Sequence, residues 1–326
     1  MDTQQLKYDA IIIGAGPAGF TAGIYLGRFL LKTLILETTV VDPLIYNKKA
    51  ARSLMPGIYH NVPGYPQGIE RHELKSSGIQ QAQELGCDYQ SKQVLSIERQ
   101  SEFFEVLCEN ASYTGKNIIL AMGIQDAWSD LPNLDHYVGQ SLFWSVEVNG
   151  MEAKDHPAGI VGSDDTAFEE AIRLCVYSPK VYLLTNGEVL RLSEDMQECE
   201  TNFSVEVIED PIQAVTGDKG TIQKILFEGG HEIEINTLFS PPCYQYTANL
   251  LAHRLGVQMD EQGFIRVNHQ YETSMPQVYA IGDIANTPHK QVISAMYQGM
   301  EAAWNINNKH FKEMLQETSK EMSACL

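Results

Sequence analysis

A glycine-rich turn near the start of the chain is the first place where residue type and spacing indicate chemistry. Residues 14–19 read Gly-Ala-Gly-Pro-Ala-Gly, directly after the apolar run 8–13. Glycine at the first and third positions permits a tight turn and lets the backbone approach a pyrophosphate, and the N–H groups of the following helix attract the phosphates. At the end of the next apolar run, the Glu37 carboxylate can accept hydrogen bonds from a ribose diol. The spacing predicts a nucleotide-binding unit of strand, turn, helix and strand.

The same arrangement occurs a second time further along the chain. An apolar run at 158–161 leads into Gly162, residues 166–175 have helical spacing, and 181–184 form the next apolar run. A repeat on the scale of a domain predicts two nucleotide-type βαβ units. The fold class that follows is α/β.

The remaining periodic segments surround these two units. Residues 92–109 alternate as antiparallel strands do, and residues 222–227 with 233–238 are typical of a further meander. We expect one more short strand at 278–281 and a helix that begins at residue 290 and ends near residue 312.

The charge and the cysteine content exclude several classes of function. The formal net charge is −19 and the sequence pI is about 4.8, which disfavours binding to nucleic acid or to an anionic membrane face. Six cysteines are spread along the chain without metal-ligand spacing, so we expect neither a zinc site nor a disulfide scaffold. The N-terminus has no signal-peptide pattern and no apolar run reaches about 18 residues, so we expect a cytoplasmic protein without a membrane span.

Several short motifs together resemble the low-molecular-weight thioredoxin reductases. The turn at 14–19 resembles the FAD site of that family, and residues 61–64 read Asn-Val-Pro-Gly, similar to its Asn-x-Pro-Gly stretch near the flavin. Residues 121–123, Ala-Met-Gly, resemble its Ala-Thr-Gly crossing between domains. Residues 279–283, Tyr-Ala-Ile-Gly-Asp, resemble its late Gly-Asp motif. Residues 290–295 resemble its Arg-Gln-x-x-x-Ala segment beside the isoalloxazine ring.

The resemblance implies two Rossmann-like, three-layer dinucleotide-binding domains and a homodimer. It places a discontinuous FAD domain at 1–120 and 246–326, with an NAD(P)-type domain inserted at 121–245. In the family, the aspartate of the late motif binds the ribityl chain of FAD. The residues that we expect to bind FAD are Gly14, Gly16, Pro17, Ala18, Glu37, Asn61, Ala121, Gly123, Gly282, Asp283, Lys290, Gln291 and Val292.

The stretch that would carry the redox dithiol of the family contains no cysteine. Residues 144–150 read Trp-Ser-Val-Glu-Val-Asn-Gly where the family has Cys-x-x-Cys-Asp-Gly, so Ser145 and Val148 take the cysteine positions. A serine alkoxide is not accessible near neutral pH, and valine has no redox chemistry. We therefore expect no flavin-to-disulfide relay through this stretch.

The second unit departs from the NADPH-binding pattern of the family. Residues 162–167 read Gly-Ser-Asp-Asp-Thr-Ala against Gly-x-Gly-x-x-Ala, so Asp164 brings a negative charge to the position of the pyrophosphate. Two unit charges about 4 Å apart repel by about 4 kcal/mol at an effective dielectric constant of 20. Residues 185–187, Thr-Asn-Gly, replace the His-Arg-Arg that holds the 2′-phosphate. We expect no NADPH in the usual mode, and either a structural role or a different nucleotide, such as a second flavin, for this domain.

The aromatic residues near the expected flavin site have two open interpretations. Tyr46, Tyr59, His60, Trp144 and Tyr297 lie in segments that could flank the flavin ring. Residues of these types more often pack in a core or lie in solvated loops.

Three hypotheses for function follow. The first is an FAD-dependent oxidoreductase in which Cys325 is the catalytic thiol of a disulfide reaction, because a mobile tail at 313–326 could bring it to a flavin. Cys243 is a weaker candidate, since a buried structural thiol is the more common situation. The second is a one-electron flavoprotein with a ferredoxin or flavodoxin partner and no protein thiol involved, and the third is a non-catalytic flavin-binding sensor. The redox protein partners that we consider are a ferredoxin, a flavodoxin and a thioredoxin-like protein.

Overall fold

The computed structural model describes residues 7–37, 49–51, 56–127, 129–200, 203–240, 245–247 and 250–324. The strands are β1 (Lys7–Ile13), β2 (Thr33–Glu37), β3 (Lys49–Ala51), β4 (Ile58–Tyr59), β5 (Ile69–Glu70), β6 (Asp88–Ser91), β7 (Val94–Gln100), β8 (Phe103–Cys108), β9 (Ala111–Leu120), β10 (Ile124–Ala127), β11 (Leu142–Phe143), β12 (Ala158–Val161), β13 (Val181–Leu184), β14 (Val205–Ile208), β15 (Ile212–Asp218), β16 (Thr221–Phe227), β17 (Glu232–Glu234), β18 (Thr237–Phe239), β19 (Gln245–Thr247) and β20 (Val278–Ala280). The helices are α1 (Pro17–Arg28), α2 (Arg71–Glu84), α3 (Val146–Asn149), α4 (Asp165–Leu174), α5 (Glu194–Glu200), α6 (Leu250–Leu255) and α7 (Val292–Ala324).

The first βαβ unit is the centre of a seven-stranded sheet. Its strand order is β6-β2-β1-β9-β8-β7, and β20 pairs with the second half of β9. Strands β6, β2, β1, β9 and β20 are parallel, whereas β7, β8 and the first half of β9 form an antiparallel meander. In β1, Ala10 and Ile12 face one core and Ile11 and Ile13 face the other. A strand covered on both faces reads as a continuous apolar run, which is why β1 was recognisable.

Helices α1 and α7 cover one face of this sheet through small side chains. Ala18 and Ala22 of α1 and Ala302 and Ala303 of α7 belong to the same buried cluster. Helix α7 continues to Ala324, so the expectation of a mobile tail from residue 313 was wrong. The segment is rich in strong helix formers, and Glu313 forms an ion pair with Lys116.

The second βαβ unit forms a separate five-stranded parallel sheet of order β11-β18-β12-β13-β14. Helix α4 packs on one face, where Phe168 is fully buried, and the antiparallel sheet β15-β16-β17 packs on the other. The run 233–238 was predicted as one meander strand. It contributes to β17 of the meander and to β18 of the parallel sheet, because Ile235 and Asn236 separate the two.

The two connections between the sheets pair with each other. Strand β10 leaves the first unit after residue 123, and β19 returns to it; the two run antiparallel, with β3 on the other side of β10. The architecture confirms the predicted α/β class with two Rossmann-like units, the first of which is discontinuous. The boundaries at residues 120 and 246 stay a prediction. Within the described residues, no helix has the length and apolar character needed to cross a membrane.

Candidate functional site

A cavity of about 360 Å³ lies where the parallel strands of the first sheet end. Strands β1, β2, β9 and β20 all lead into it at their carboxyl ends, the edge at which open α/β sheets bind ligands. Every residue that the sequence predicted to bind FAD lines this cavity: Gly14, Gly16, Pro17, Ala18, Glu37, Asn61, Ala121, Gly123, Gly282, Asp283, Lys290, Gln291 and Val292. Their role as FAD ligands stays a prediction.

The glycine-rich turn has the geometry of a phosphate site. Gly14 has φ +106°, and a Cβ there would lie 2.4 Å from the carbonyl oxygen of Ala121. Gly16 is the N-cap of α1 and supplies no side-chain hydrogen bond to the first turn of the helix. A Cβ on Gly16 would meet no atom within 4 Å, so the space beside it is open. The N–H groups of the helix N-terminus can therefore bind a pyrophosphate that approaches the backbone closely.

The late Gly-Asp motif is positioned by a buried glutamine of α7. Gln298 accepts a hydrogen bond from the Gly282 N–H at 2.7 Å and donates one to the Thr287 hydroxyl at 3.2 Å. On the far wall, Asn61 donates to the side-chain carbonyl of Gln291 at 3.0 Å. These two amides fix the segments that the resemblance places at the ribityl chain and the flavin ring.

Residues 144–149, which replace the redox dithiol, face the same cavity. Ser145 and Val148 both line it, together with Trp144 and Glu147. Helix α3 is anchored from behind, because Glu170 accepts a hydrogen bond from the Val146 N–H at 2.8 Å. The segment therefore lies where the flavin site would meet it, without a thiol.

The turn of the second unit shares one backbone hydrogen bond with the first, but a side chain caps its helix. The Gly14 N–H donates to the Leu36 carbonyl at the end of β2 at 2.7 Å, and the Gly162 N–H donates in the same way to the Leu184 carbonyl at the end of β13 at 3.0 Å. Asp164, at the N-cap of α4, accepts a hydrogen bond from the Ala167 N–H at 3.0 Å. An aspartate is a strong N-cap, so it satisfies a donor that a phosphate would otherwise use.

The loop after β13 lies across this second turn. The Arg191 N–H donates to the Ser163 carbonyl at 2.9 Å, and the Ser193 N–H donates to the Asp165 carboxylate at 2.8 Å. Thr185 lies at the start of this loop, and its hydroxyl donates a hydrogen bond to the Glu188 carbonyl of the same loop at 2.5 Å. The loop that would carry 2′-phosphate ligands is instead held against the N-terminus of α4.

Comparison with known proteins identifies the family. The pyridine nucleotide-disulphide oxidoreductase family matches residues 8–299. The chain belongs to this family. It is 29% identical over 309 residues to the thioredoxin reductase of Aquifex aeolicus, covering 91% of each chain, and 27% identical over 328 residues to that of Schizosaccharomyces pombe, covering 94% of this chain and 98% of the relative.

Solved structures agree with this assignment. The thioredoxin reductase of Streptococcus pyogenes superposes with a TM-score of 0.82 at 25% identity, over 95% of this chain and 100% of the other. The thioredoxin reductase of Giardia duodenalis, at 24% identity and a TM-score of 0.77, supports the fold alone. The protein is thus a thioredoxin reductase-like member of the pyridine nucleotide-disulphide oxidoreductases, and the family implies an oxidoreductase with FAD as its cofactor.

Three described thiols of this family member do not line the cavity: Cys87 and Cys108 are buried, and Cys175 is partly buried. Cys87, Cys108 and Cys175 are free, and burial raises the pKa of each thiol, that of Cys87 to about 11. Such thiols are poor nucleophiles near neutral pH. Cys243 and Cys325 lie outside the described residues. No group of three potential metal ligands occurs in the described part of the chain.

Helix α7 begins at the cavity and is long. Val292, at its start, lines the cavity, and Ala324 is its last residue. At about 1.5 Å per residue, a straight helix of this length takes Ala324 about 48 Å from Val292.

The cavity also has walls that the sequence did not identify. The Arg71 guanidinium lies 4.9 Å from the centre of the Tyr59 ring, and both residues line the cavity. Among the aromatic candidates, Tyr59, His60 and Trp144 line it, whereas Tyr297 is exposed on α7 and Tyr46 lies outside the described residues. Arg71 has no motif of its own, and its position depends on the packing of α2.

Proposed function

We propose that this protein is an FAD-dependent oxidoreductase that works without NADPH in the usual position and without a resident dithiol. The observation that carries the proposal is one cavity that is lined both by the expected FAD ligands and by residues of the thiol-free segment 144–149. Bound FAD supplies one- and two-electron chemistry through its isoalloxazine ring. The substitutions at Ser145 and Val148 leave the substrate or redox partner to exchange electrons at the flavin directly.

The fit of the site to FAD rests on features of this chain. The open N-terminus of α1 receives the pyrophosphate, and Glu37 accepts hydrogen bonds from the adenosine ribose. Asp283, on the turn held by Gln298, receives the ribityl chain, and Gln291 with Asn61 borders the flavin ring.

The proposal that NADPH is not the donor rests on the closed second turn. The Asp164 carboxylate caps α4, and the loop with Arg191 is hydrogen-bonded to Ser163. A pyrophosphate would have to displace the cap and face its negative charge. Neither Thr185 nor Asn186 offers a cation to a 2′-phosphate.

The distribution of charge supports a separate electron donor that approaches the FAD side. Residues 121–245 contain 22 Asp and Glu against 6 Lys and Arg, whereas the rest of the chain contains 20 and 17. An acidic one-electron carrier such as a ferredoxin or flavodoxin is repelled by the inserted domain and much less by the FAD-binding part. We propose such a carrier as the donor.

We further propose that the protein is a homodimer that uses the exposed face of α7. Ile293, Tyr297, Trp304 and Phe311 are exposed and lie four or seven residues apart, which places them on one side of the helix. Trp304 packs edge-on against Phe29 at 5.5 Å, so the apolar surface continues onto the end of α1. Sedimentation of the wild type as a monomer would remove this proposal.

Anaerobic reduction of the purified holoprotein tests the proposed function. We expect a flavin spectrum, no bleaching by NADPH, rapid reduction by reduced ferredoxin or flavodoxin, and about two electron equivalents taken up per flavin. Bleaching of the flavin at micromolar NADPH would overturn the proposal that the second turn excludes NADPH. Slow reduction by every donor would favour a sensor, and a flavin-to-protein ratio near two would indicate a second flavin in the inserted domain.

A further inference from the structure

We propose that Lys75 is a positioning residue of the nucleotide site, which holds the Glu37 carboxylate in place for the adenosine ribose. This inference rests on the FAD binding proposed above and adds a residue that no motif of the family marks. Lys75 does not line the cavity itself and acts through Glu37.

The contact is direct and largely shielded from water. The Lys75 ammonium donates to Oε1 of Glu37 at 2.7 Å, and the other carboxylate oxygen, Oε2, accepts a hydrogen bond from the Ala15 N–H. The Glu37 side chain is 9% exposed and that of Lys75 is 15% exposed. Glu37 is the last residue of β2, so its backbone is fixed by the parallel sheet.

The packing of α2 on α1 brings Lys75 to this position. Gly78, one turn after Lys75, lies so close to the Phe20 ring of α1 that a Cβ there would be 2.5 Å from it. Residues three apart share a face of a helix, so the face that packs on α1 also presents Lys75. The ammonium therefore reaches Glu37 without lining the cavity itself.

The physical role follows from the cost of a buried carboxylate. An isolated buried charge is strongly destabilised unless it is paired and hydrogen-bonded. An ionised carboxylate has about four acceptor positions, of which Ala15 and Lys75 use two. The remaining positions face the cavity and match the two hydroxyls of a ribose. Without Lys75, the Glu37 carboxylate loses a hydrogen-bond donor and its paired charge. The side chain is then free to turn towards solvent, which removes an acceptor from the ribose.

Reconstitution of the apoprotein tests the role of Lys75. We compare the affinities of the wild type and of Lys75→Met for FAD and for an FAD analogue that lacks the adenosine 2′-hydroxyl. We expect Lys75→Met to weaken FAD binding by about tenfold or more and to weaken binding of the deoxy analogue by clearly less, because the affected hydrogen bond is absent from the analogue. Lys116→Met is the control, since it removes an ion-paired lysine of the same domain.

Each outcome decides the inference. Unchanged FAD affinity in Lys75→Met overturns it, and so does an equal loss for both ligands, which would indicate a structural role alone. If the methionine variant does not fold, Lys75→Gln replaces it, with the same expected difference between the ligands. Failure of the wild type to bind FAD would instead contradict the proposed function and is visible separately.

Discussion

The carboxylate of Asp164 accepts a hydrogen bond from the backbone N–H of Ala167 at 3.0 Å. At the equivalent position of the first unit, Gly16 leaves the N-terminus of α1 without any side-chain cap. The two turns therefore present opposite electrostatics at the start of the helix that follows each of them. One offers free donors to an anion, and the other already contains its anion.

Loss of the Asp164 cap should lower stability without allowing NADPH to bind. Asp164→Ala should lower the free energy of unfolding by about 1 kcal/mol, within the usual range of about 0.5–2 kcal/mol for a lost N-cap. Asp164→Asn should retain most of the stability, because asparagine caps equally well. Denaturant unfolding measures both. The flavin of neither variant should be bleached by NADPH, since the loop around Arg191 stays hydrogen-bonded to the second turn. Bleaching of the flavin in Asp164→Asn would show that the negative charge alone excludes NADPH.

The open space at Gly16 predicts a variant that folds and loses its cofactor. Gly16 has φ −70°, which alanine adopts readily, and a Cβ meets no atom within 4 Å. Gly16→Ala should therefore unfold no earlier than the wild type, yet bind FAD at least about tenfold more weakly, because the methyl group stands where the pyrophosphate approaches. Gly19→Ala is the contrasting variant: its Cβ would lie 1.9 Å from the Gly14 carbonyl oxygen, so it should fail to fold. Unchanged FAD affinity of Gly16→Ala would contradict the assignment.

Restoring the dithiol should add a second redox centre. Ser145 is the N-cap of α3, and it lines the cavity together with Val148. The double variant Ser145→Cys/Val148→Cys should take up about four electron equivalents per flavin, because a disulfide accepts two in addition to the two of FAD. Ser145→Cys alone should take up about two, as the wild type does. Two equivalents in the double variant would mean that the new thiols do not pair.

The buried thiol of Cys87 predicts how stability changes in alkali. Burial raises the pKa of this thiol from 9.0 in the unfolded chain to about 11. Its contribution is complete below pH 9 and is lost as the pH rises through about 11, because the unfolded state releases its proton first. Relative to Cys87→Ser, the wild type should lose up to about 3 kcal/mol of unfolding free energy between pH 8 and pH 11. If the unfolding free energies of the two proteins depended on pH in the same way, the raised pKa of Cys87 would be contradicted.

Helix α7 predicts that Cys325 is dispensable. The last described residue of the helix, Ala324, lies about 48 Å from Val292 at the cavity if the helix is straight, so we expect no electron transfer between Cys325 and the flavin of the same subunit. Cys325→Ser should leave the rates of flavin reduction and reoxidation within about twofold of the wild type, measured by stopped flow. A large loss of thiol turnover would instead support a relay to the flavin of a partner subunit.

The first nucleotide unit was predictable because its signals are local. The apolar run of β1, the glycines at 14 and 16 and the acid at Glu37 each have a fixed place in a strand, turn and helix. The carboxyl ends of parallel strands meet at one edge, so separate motifs such as Asn61 and Asp283 were expected to converge there. The cavity brings them together.

Other features depend on packing between distant segments and have no local signal. Lys75 matters because Gly78 lets α2 approach Phe20, and Arg71 matters because the same helix begins beside Tyr59. The end of α7 was mistaken for a tail because its polar composition conceals a continuous helix. The closed second turn was anticipated from the charge of Asp164, but the hydrogen bond that makes it a cap required the structure.

The uneven distribution of acidic residues has a consequence for how the molecule meets others. Residues 121–245 have a formal charge of −16 and the rest of the chain has −3, so we expect the protein to have an electric dipole. A charged carrier that drifts into this field turns the molecule before contact. We expect an anionic carrier to meet the less acidic part of the molecule first, and a cationic carrier to meet the part formed by residues 121–245. The electric field thus orients the protein and its carrier before their surfaces come into contact.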